Sequence, residues 1–389
     1  MGILTGIRVA DFTRVVSGPF ATMLLGDLGA DVFKIERPGV GDDTRGWGPP
    51  FVGGESTYFF SVNRNKKSVT FDLQTDEGRA LARRLCLHCD VVVENFRPGL
   101  MDRIGLGYDT LRSERPDLIY CAISGFGQTG PYRDRAGYDV PIQAMGGLMS
   151  ITGEADRPPV KTGVALVDII AAQYAFSGIL AALFHRERTG EGQRIDVSLL
   201  SAELAALINI ASAYLVAGEM PVWRGTAHPS IVPYQVFGAR DGYVMLGAAN
   251  DKLFAAFAAE AGRPEWATDP RFQTNVDRVR NRETLLPLIA DVLQTDTAAN
   301  WVERLQRVGV AVAPVNDVAQ AFADPQVVHS GQVTTIAHPV AGDLPLVGPA
   351  ALYSQTPAEV RLPPPLLGEH TAEVIAMLAA EDVQDGARD

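Results

Sequence analysis

The alternation of apolar and polar positions lays out a β-α-β unit at the start of the chain. Residues 7–12 (IRVADF) are an apolar run of strand length, residues 18–29 (GPFATMLLGDLG) carry apolar side chains at helical spacing, and residues 31–36 (DVFKIE) return to a strand pattern. The alternation continues with a strand at 68–73, a helix at 75–87 opened by Thr75-Asp76-Glu77, and strands at 90–95 and 117–124. Strands separated by helices predict a mostly parallel sheet covered on both faces, an α/β, Rossmann-like domain. Ligands of such sheets gather beyond the carboxyl ends of the strands, so the segments after Glu36 and Glu94 are the first places to look.

From about 164 to 217 the pattern predicts two apolar helices, separated by a polar loop at 185–194 and a short strand, IDVSL. The first is long enough to span a bilayer, but it carries Asp168 and Gln173 and reads as a buried helix. Near Gly218 the pattern changes to a hairpin over 231–249 and helices near 251–262, 282–294 and 298–308. The expected division is a large domain at 1–217, a smaller α+β domain at 218–325, and a segment at 326–389 that returns to the large domain and ends in a helix at 370–381.

The 389 residues hold 34 Lys plus Arg against 46 Asp plus Glu, a net charge of −12, with 47% hydrophobic positions. This balance excludes disorder, and an acidic surface argues against nucleic-acid or anionic-membrane partners, which need clustered positive charge. Three cysteines and a start without a signal-peptide pattern point to a reducing cytosol.

Four patterns are candidates for chemistry. Gly125-Phe-Gly127-Gln-Thr-Gly130 follows a strand as a dinucleotide fingerprint should, but no long apolar helix follows it, so it reads as a glycine-rich turn. Cys86 and Cys89 have no partner pair for zinc and read as core residues. Basic residues at strand ends, Arg37, the Arg64-Asn65-Lys66-Lys67 run, Arg97 and Arg103, fall at one sheet edge and suit a phosphorylated anion. Asp168 is either an acid that bonds the first turn of its helix or a desolvated carboxylate nucleophile able to attack an activated acyl group.

Taken together, DFTRVVSGPFATMLLGDLGADVFKIERPG, NRNKKSVTFDL, VVENFRPG, ISGFGQTGPY, AGYD and the Asp168 segment resemble the class III, formyl-CoA transferase-like CoA-transferases over essentially the whole chain. The resemblance implies an interlocked homodimer of Rossmann-like and small domains, with Asp168 as the catalytic nucleophile. It carries CoA binding onto Val16, Arg37, Leu73, Asn95, Phe96, Arg97, Arg103, Tyr138 and Asp139. Acyl-CoA is then a substrate, and no permanently bound cofactor, metal or ATP is expected. The racemase branch has a His where Tyr138 stands, and α-proton exchange needs two acid/base groups, so transfer is expected over racemisation. The formyl/oxalate branch has a Gln in place of Val16 and a glycine run in place of Gly247-Ala-Ala-Asn250, which disfavours those acids. Residues 42–68 and 224–237 look like the subgroup acting on succinyl-CoA and glutarate; itaconate, citramalate and malate remain open as acceptors. For the remote carboxylate of such an acid the expected partner is Arg64, with His228 and Tyr234 as wall candidates.

Overall fold

In the computed structural model, which describes residues 2–385, six strands lie side by side. They are β1 (Arg8–Asp11), β2 (Asp31–Glu36), β3 (Lys66–Thr70), β4 (Val91–Glu94), β5 (Ile119–Ser124) and β6 (Arg194–Ser198). Their order is β3-β2-β1-β4-β5-β6 and every neighbouring pair is parallel. The order reverses between β1 and β4, and there the connections leaving the two strands run to opposite faces of the sheet, which leaves a crevice. The third strand begins two residues earlier than its apolar pattern suggests, because Lys66 is buried within it and pairs with Asp11 of β1.

The longer helices of this region are α1 (Ser17–Asp27), α2 (Asp76–His88), α3 (Asp139–Met145), α4 (Leu166–Thr189), α5 (Leu199–Ala206) and α6 (Ile208–Ala217). On one face Ala21 and Leu25 of α1 and Ala171, Ala175 and Ile179 of α4 pack on Val9, Val91 and Ile119. On the other, Leu85, Cys86 and Cys89 meet Ala10, Val92 and Tyr120. The cysteines are free and buried. Helix α4 is long and apolar enough to cross a membrane. Only one side of it is buried in this core; Tyr174 and Phe184 are exposed.

Two expectations shift here. The polar stretch after residue 184 continues α4 to Thr189, since Arg186 reaches Asp90 at 3.0 Å and left-handed Gly190, at φ 76°, ends the helix. The second apolar run is two helices, α5 and α6, bent by 79°.

The chain divides into two compact units, one of residues up to Leu148, Lys161–Glu219 and from Val328 on, the other of Met149–Val160 and Met220–Val327. In the second unit β7 (Tyr234–Gly238), β8 (Tyr243–Gly247) and β9 (Ala311–Pro314) form an antiparallel sheet in the order β9-β8-β7. Helices α7 (Asp251–Glu260), α8 (Arg282–Leu293) and α9 (Ala298–Arg307) cover it through Phe254, Ile289 and Trp301.

The last segment belongs to the first unit. It adds a hairpin of β10 (Val333–His338) and β11 (Gly342–Val347), then α10 (Thr371–Asp385), whose Val374 and Leu378 enter the core beside α2. Asn65 holds its approach: the side-chain carbonyl accepts from the backbone N–H of Arg361 and Leu362, and the amide donates to the Glu359 carbonyl.

Candidate active site

The crevice is built from the turn that joins β1 to α1. Val15 sits there at φ 71°, a left-handed conformation that a β-branched side chain resists. Strain of this kind, roughly 1–3 kcal/mol, persists only when surrounding groups over-determine it. Both oxygens of Asp42 accept from the Val15 N–H at 3.3 Å. Asn95, at the end of β4, clamps the preceding residue: its carbonyl accepts from the Arg14 N–H at 2.9 Å and its amide donates to the Arg14 carbonyl at 2.8 Å.

Below the turn lie two buried lysines. Lys34 donates to Asp42 at 2.8 Å and to the Thr13 carbonyl at 2.9 Å. Lys66 donates to Asp11 at 3.0 Å and to the Pro19 carbonyl at 2.9 Å. Burial alone raises a carboxyl pKa, but the Lys34 charge and the Thr44 donors outweigh it and hold Asp42 at about 2. Burial pulls Lys66 down to about 8 against the attraction of Asp11.

Asp168 stands in the first turn of α4 and is 9% exposed. Burial, reinforced by the charge of Asp139, pushes its carboxyl up to about 7, and a hydrogen bond with Ser17 opposes the rise. Asp139, expected among the CoA ligands, is the cap of α4. One oxygen accepts from the N–H groups of Val167 at 2.8 Å and Asp168 at 3.3 Å, and the other from Gln143 at 2.6 Å. A side chain from another helix thus takes the capping role that the sequence left open for Asp168 itself.

Asp168 lies where two hollows meet. One is a polar cleft lined by Arg14, Asn95, Phe96, Arg97 and Arg135; the other is a 620 Å³ cavity with mainly apolar walls from Phe20, Trp47, Val62, Val140 and Ile169. Val15, Val16, Tyr138 and Asp168 line both. A third hollow, 430 Å³, gathers Arg37, Leu73 and Phe96 beside Phe71 and Ile104. Arg103 flanks Gly99 together with Arg133, at 3.7 and 3.5 Å from where a Cβ would stand. Gly125 and Gly137 meet backbone to backbone with no room for a Cβ on either, so Gly125 serves a close approach that sets the Tyr138 turn.

Other expected residues are placed elsewhere. Arg64 is 4% exposed; its fork grips Asp27 at 2.9 and 2.7 Å and its remaining nitrogen donates to the Val347 carbonyl at 2.9 Å. Its guanidinium is engaged in holding the returning segment, and Arg64 lines neither hollow beside Asp168, so the structure does not bring it to the place expected for a contact with a substrate carboxylate. Lys67 is likewise spent on Glu373. His228 and Tyr234 belong to the second unit, where the His228 N–H donates to the Tyr234 carbonyl at 2.9 Å and the rings meet edge to face. The sequence reading missed Arg14, Ser17, Arg135 and Lys161. Ser17 and Arg14 lay within a recognised motif beside Val16, and Arg135 lay two residues before Gly137.

Fold and geometry define a class, an α/β protein with a parallel sheet and a buried carboxylate in the crevice beyond its strand ends. The model of CoA-transferase family III matches residues 4–371. The succinyl-CoA:glutarate CoA-transferase of Homo sapiens is 45% identical over 372 residues, covering 96% of this chain and 85% of the relative. The succinate–glutarate CoA-transferase of Agrobacterium fabrum is 44% identical over 381 residues, 96% of this chain and 95% of the relative. The crystal structure of a CAIB/BAIF family protein from Brucella suis superposes with a TM-score of 0.86 at 43% identity, over 97% of this chain and 99% of that one. The chain belongs to CoA-transferase family III, and its activity is that of a transferase acting on CoA thioesters.

Proposed function

We propose that the enzyme moves CoA from succinyl-CoA to glutarate or a closely related dicarboxylate, with Asp168 as the nucleophile. The observation that carries this reading is the position of Asp168 at the junction of an arginine-lined cleft and an apolar cavity. The cleft suits the pantetheine and phosphates of CoA near Arg97 and Arg135, the Arg37–Leu73–Phe96 hollow its nucleotide end, and the cavity the acyl chain.

The Asp168 carboxylate attacks the thioester carbon, the C–S bond breaks, and CoA thiolate leaves an aspartyl–succinyl anhydride. Thiolate attacks the aspartyl carbonyl carbon and expels succinate, giving an aspartyl-CoA thioester. The acceptor carboxylate attacks that carbon and releases thiolate, and thiolate then takes the acceptor acyl group, returning Asp168 as a carboxylate. A carboxylate with a raised pKa is the stronger nucleophile once ionised, and each attack builds an oxyanion that the Ser17 hydroxyl beside Asp168 can meet as a donor. The test is mass spectrometry of the Asp168 peptide after incubation with succinyl-CoA. A succinyl or CoA adduct there, with transfer lost in Asp168→Ala, supports the reading; normal turnover by that variant overturns it.

The functional form is inferred to be a homodimer of interlocked subunits. Phe184 on α4 and Leu215 and Val216 on α6 are 66%, 78% and 84% exposed, an apolar area that a second copy of the chain would cover. Light scattering at micromolar concentration checks the mass.

A further inference from the structure

Among the described residues, Lys161 is the single cationic side chain lining the 620 Å³ cavity that opens onto Asp168. The other charged groups on that lining are the carboxylates of Asp139 and Asp168, and the walls between are mainly carbon. A monocarboxylate enters such a space with its one charge directed at the reacting centre. A dianion meets only negative charge there unless a cation receives its second carboxylate.

Lys161 is exposed and lies in the segment that leads into α4, five positions before its first residue, Leu166. Its hydrogen bonds among the described residues include no carboxylate. Its ammonium turns back to the carbonyls of Thr162 at 2.9 Å and Gly163 at 3.5 Å, the second a marginal contact, which leaves donor capacity for a ligand. The neighbouring N–H of Thr162 bonds to Gln143, whose amide also holds Asp139. The backbone that carries Lys161 is therefore tied to the cap that sets Asp168.

We propose that Lys161 receives the remote carboxylate of the dicarboxylic acyl group and so sets the preference of the enzyme for diacids over monoacids. The proposal rests on the reading of Asp168 as nucleophile and of a dicarboxylate as acceptor. It replaces Arg64 in that role, since the Arg64 fork is engaged by Asp27. The same contact serves both half-reactions, because the departing succinate and the incoming acceptor occupy one cavity in turn.

The experiment compares glutarate with valerate as acceptors from succinyl-CoA. The two acids share a five-carbon chain and differ in a carboxylate against a methyl group. The readout is the ratio of their kcat/KM values in the wild type, Lys161→Met and Lys161→Arg. The expected result is a fall of at least tenfold in the glutarate-to-valerate ratio for Lys161→Met and recovery to within threefold of the wild-type ratio for Lys161→Arg. A Lys161→Met enzyme that makes glutaryl-CoA with an unchanged ratio overturns the assignment of Lys161 and leaves the substrate reading standing. A wild type that makes no glutaryl-CoA overturns the substrate reading, and this assignment falls with it.

Discussion

Replacing Asp168 with Asn tests whether the nucleophile is held at the expense of stability. The carboxyl pKa rises from an ordinary 3.8 to about 7 in the folded protein, with burial as the first cause and Asp139 as the second. Between those values the folded state keeps a proton that the unfolded state has lost, so rising pH favours unfolding. Below about pH 4 both states are protonated and the group contributes nothing. From there to pH 7 the advantage of the Asp168→Asn variant over the wild type grows by about 1.4 kcal/mol per pH unit, reaching a plateau of about 4 kcal/mol above pH 7. Asn keeps the shape of the side chain and an acceptor for Ser17, so any constant offset is independent of pH. The assay is thermal or urea unfolding of both proteins at intervals from pH 4 to pH 9, read as the difference between them. A flat difference, or one that shrinks as pH rises, refutes the argument that burial and Asp139 oppose ionisation.

Glu94, at the crevice end of β4, is raised by burial to about 8 while one oxygen accepts from the Phe96 N–H at 2.7 Å. Glu94→Gln, which keeps that acceptor, is expected to stabilise the protein above pH 8 and to lose its advantage below about pH 4.5, as unfolding across the same pH range checks. Arg64→Met leaves Asp27 buried without its ion-pair partner and is expected to cost about 3–5 kcal/mol in unfolding experiments, with the acceptor KM of the folded enzyme within twofold of wild type. The double variant Lys34→Met/Asp42→Leu is expected to cost more than about 2 kcal/mol in unfolding experiments, because the Val15 and Thr44 N–H groups and the Thr13 carbonyl lose buried partners, and kcat is expected to fall at least tenfold as Val15 loses its acceptor.

The strands of the large sheet were legible because apolar residues such as Val, Ile and Phe mark them, and the place of the crevice followed from the rule that ligands gather beyond the carboxyl ends of parallel strands, whereas the strand order is a tertiary result. The basic residues were less legible. Arg64, Lys66 and Lys67 have the composition of an anion site, yet their partners are Asp27, Asp11 and Glu373, separated by 37, 55 and 306 positions. Spacing carries no record of such pairs. The break between α5 and α6 at Leu207 has no Gly or Pro to announce it, and the passage of Met149–Val160 into the second unit is a tertiary event in an otherwise unmarked loop. Asp168 was legible through its chemistry, a carboxylate inside an apolar run. The cap that positions it was not, because Asp139 lies 29 residues earlier on another helix.

The left-handed Val15 shows why the site is supported by charge instead of carbon. Apolar contacts would stabilise this region as well as or better than two buried lysine–aspartate pairs, because packing is nondirectional and carries no desolvation cost. Packing cannot, however, select one backbone conformation over another of similar volume. Asp42 does so by meeting the Val15 N–H while Lys34 and Thr44 fix both of its oxygens. Asp11 fixes Thr13 in the same way, and Asn95 fixes the residue between them. With three successive anchors the turn has one geometry available, and that geometry places Ser17 against the Asp168 carboxylate at the start of α1. The ionisation penalty of Asp168 and the strain at Val15 are therefore two costs of one arrangement, each tolerated because the directional bonds beneath leave the chain no lower-energy way to make the turn.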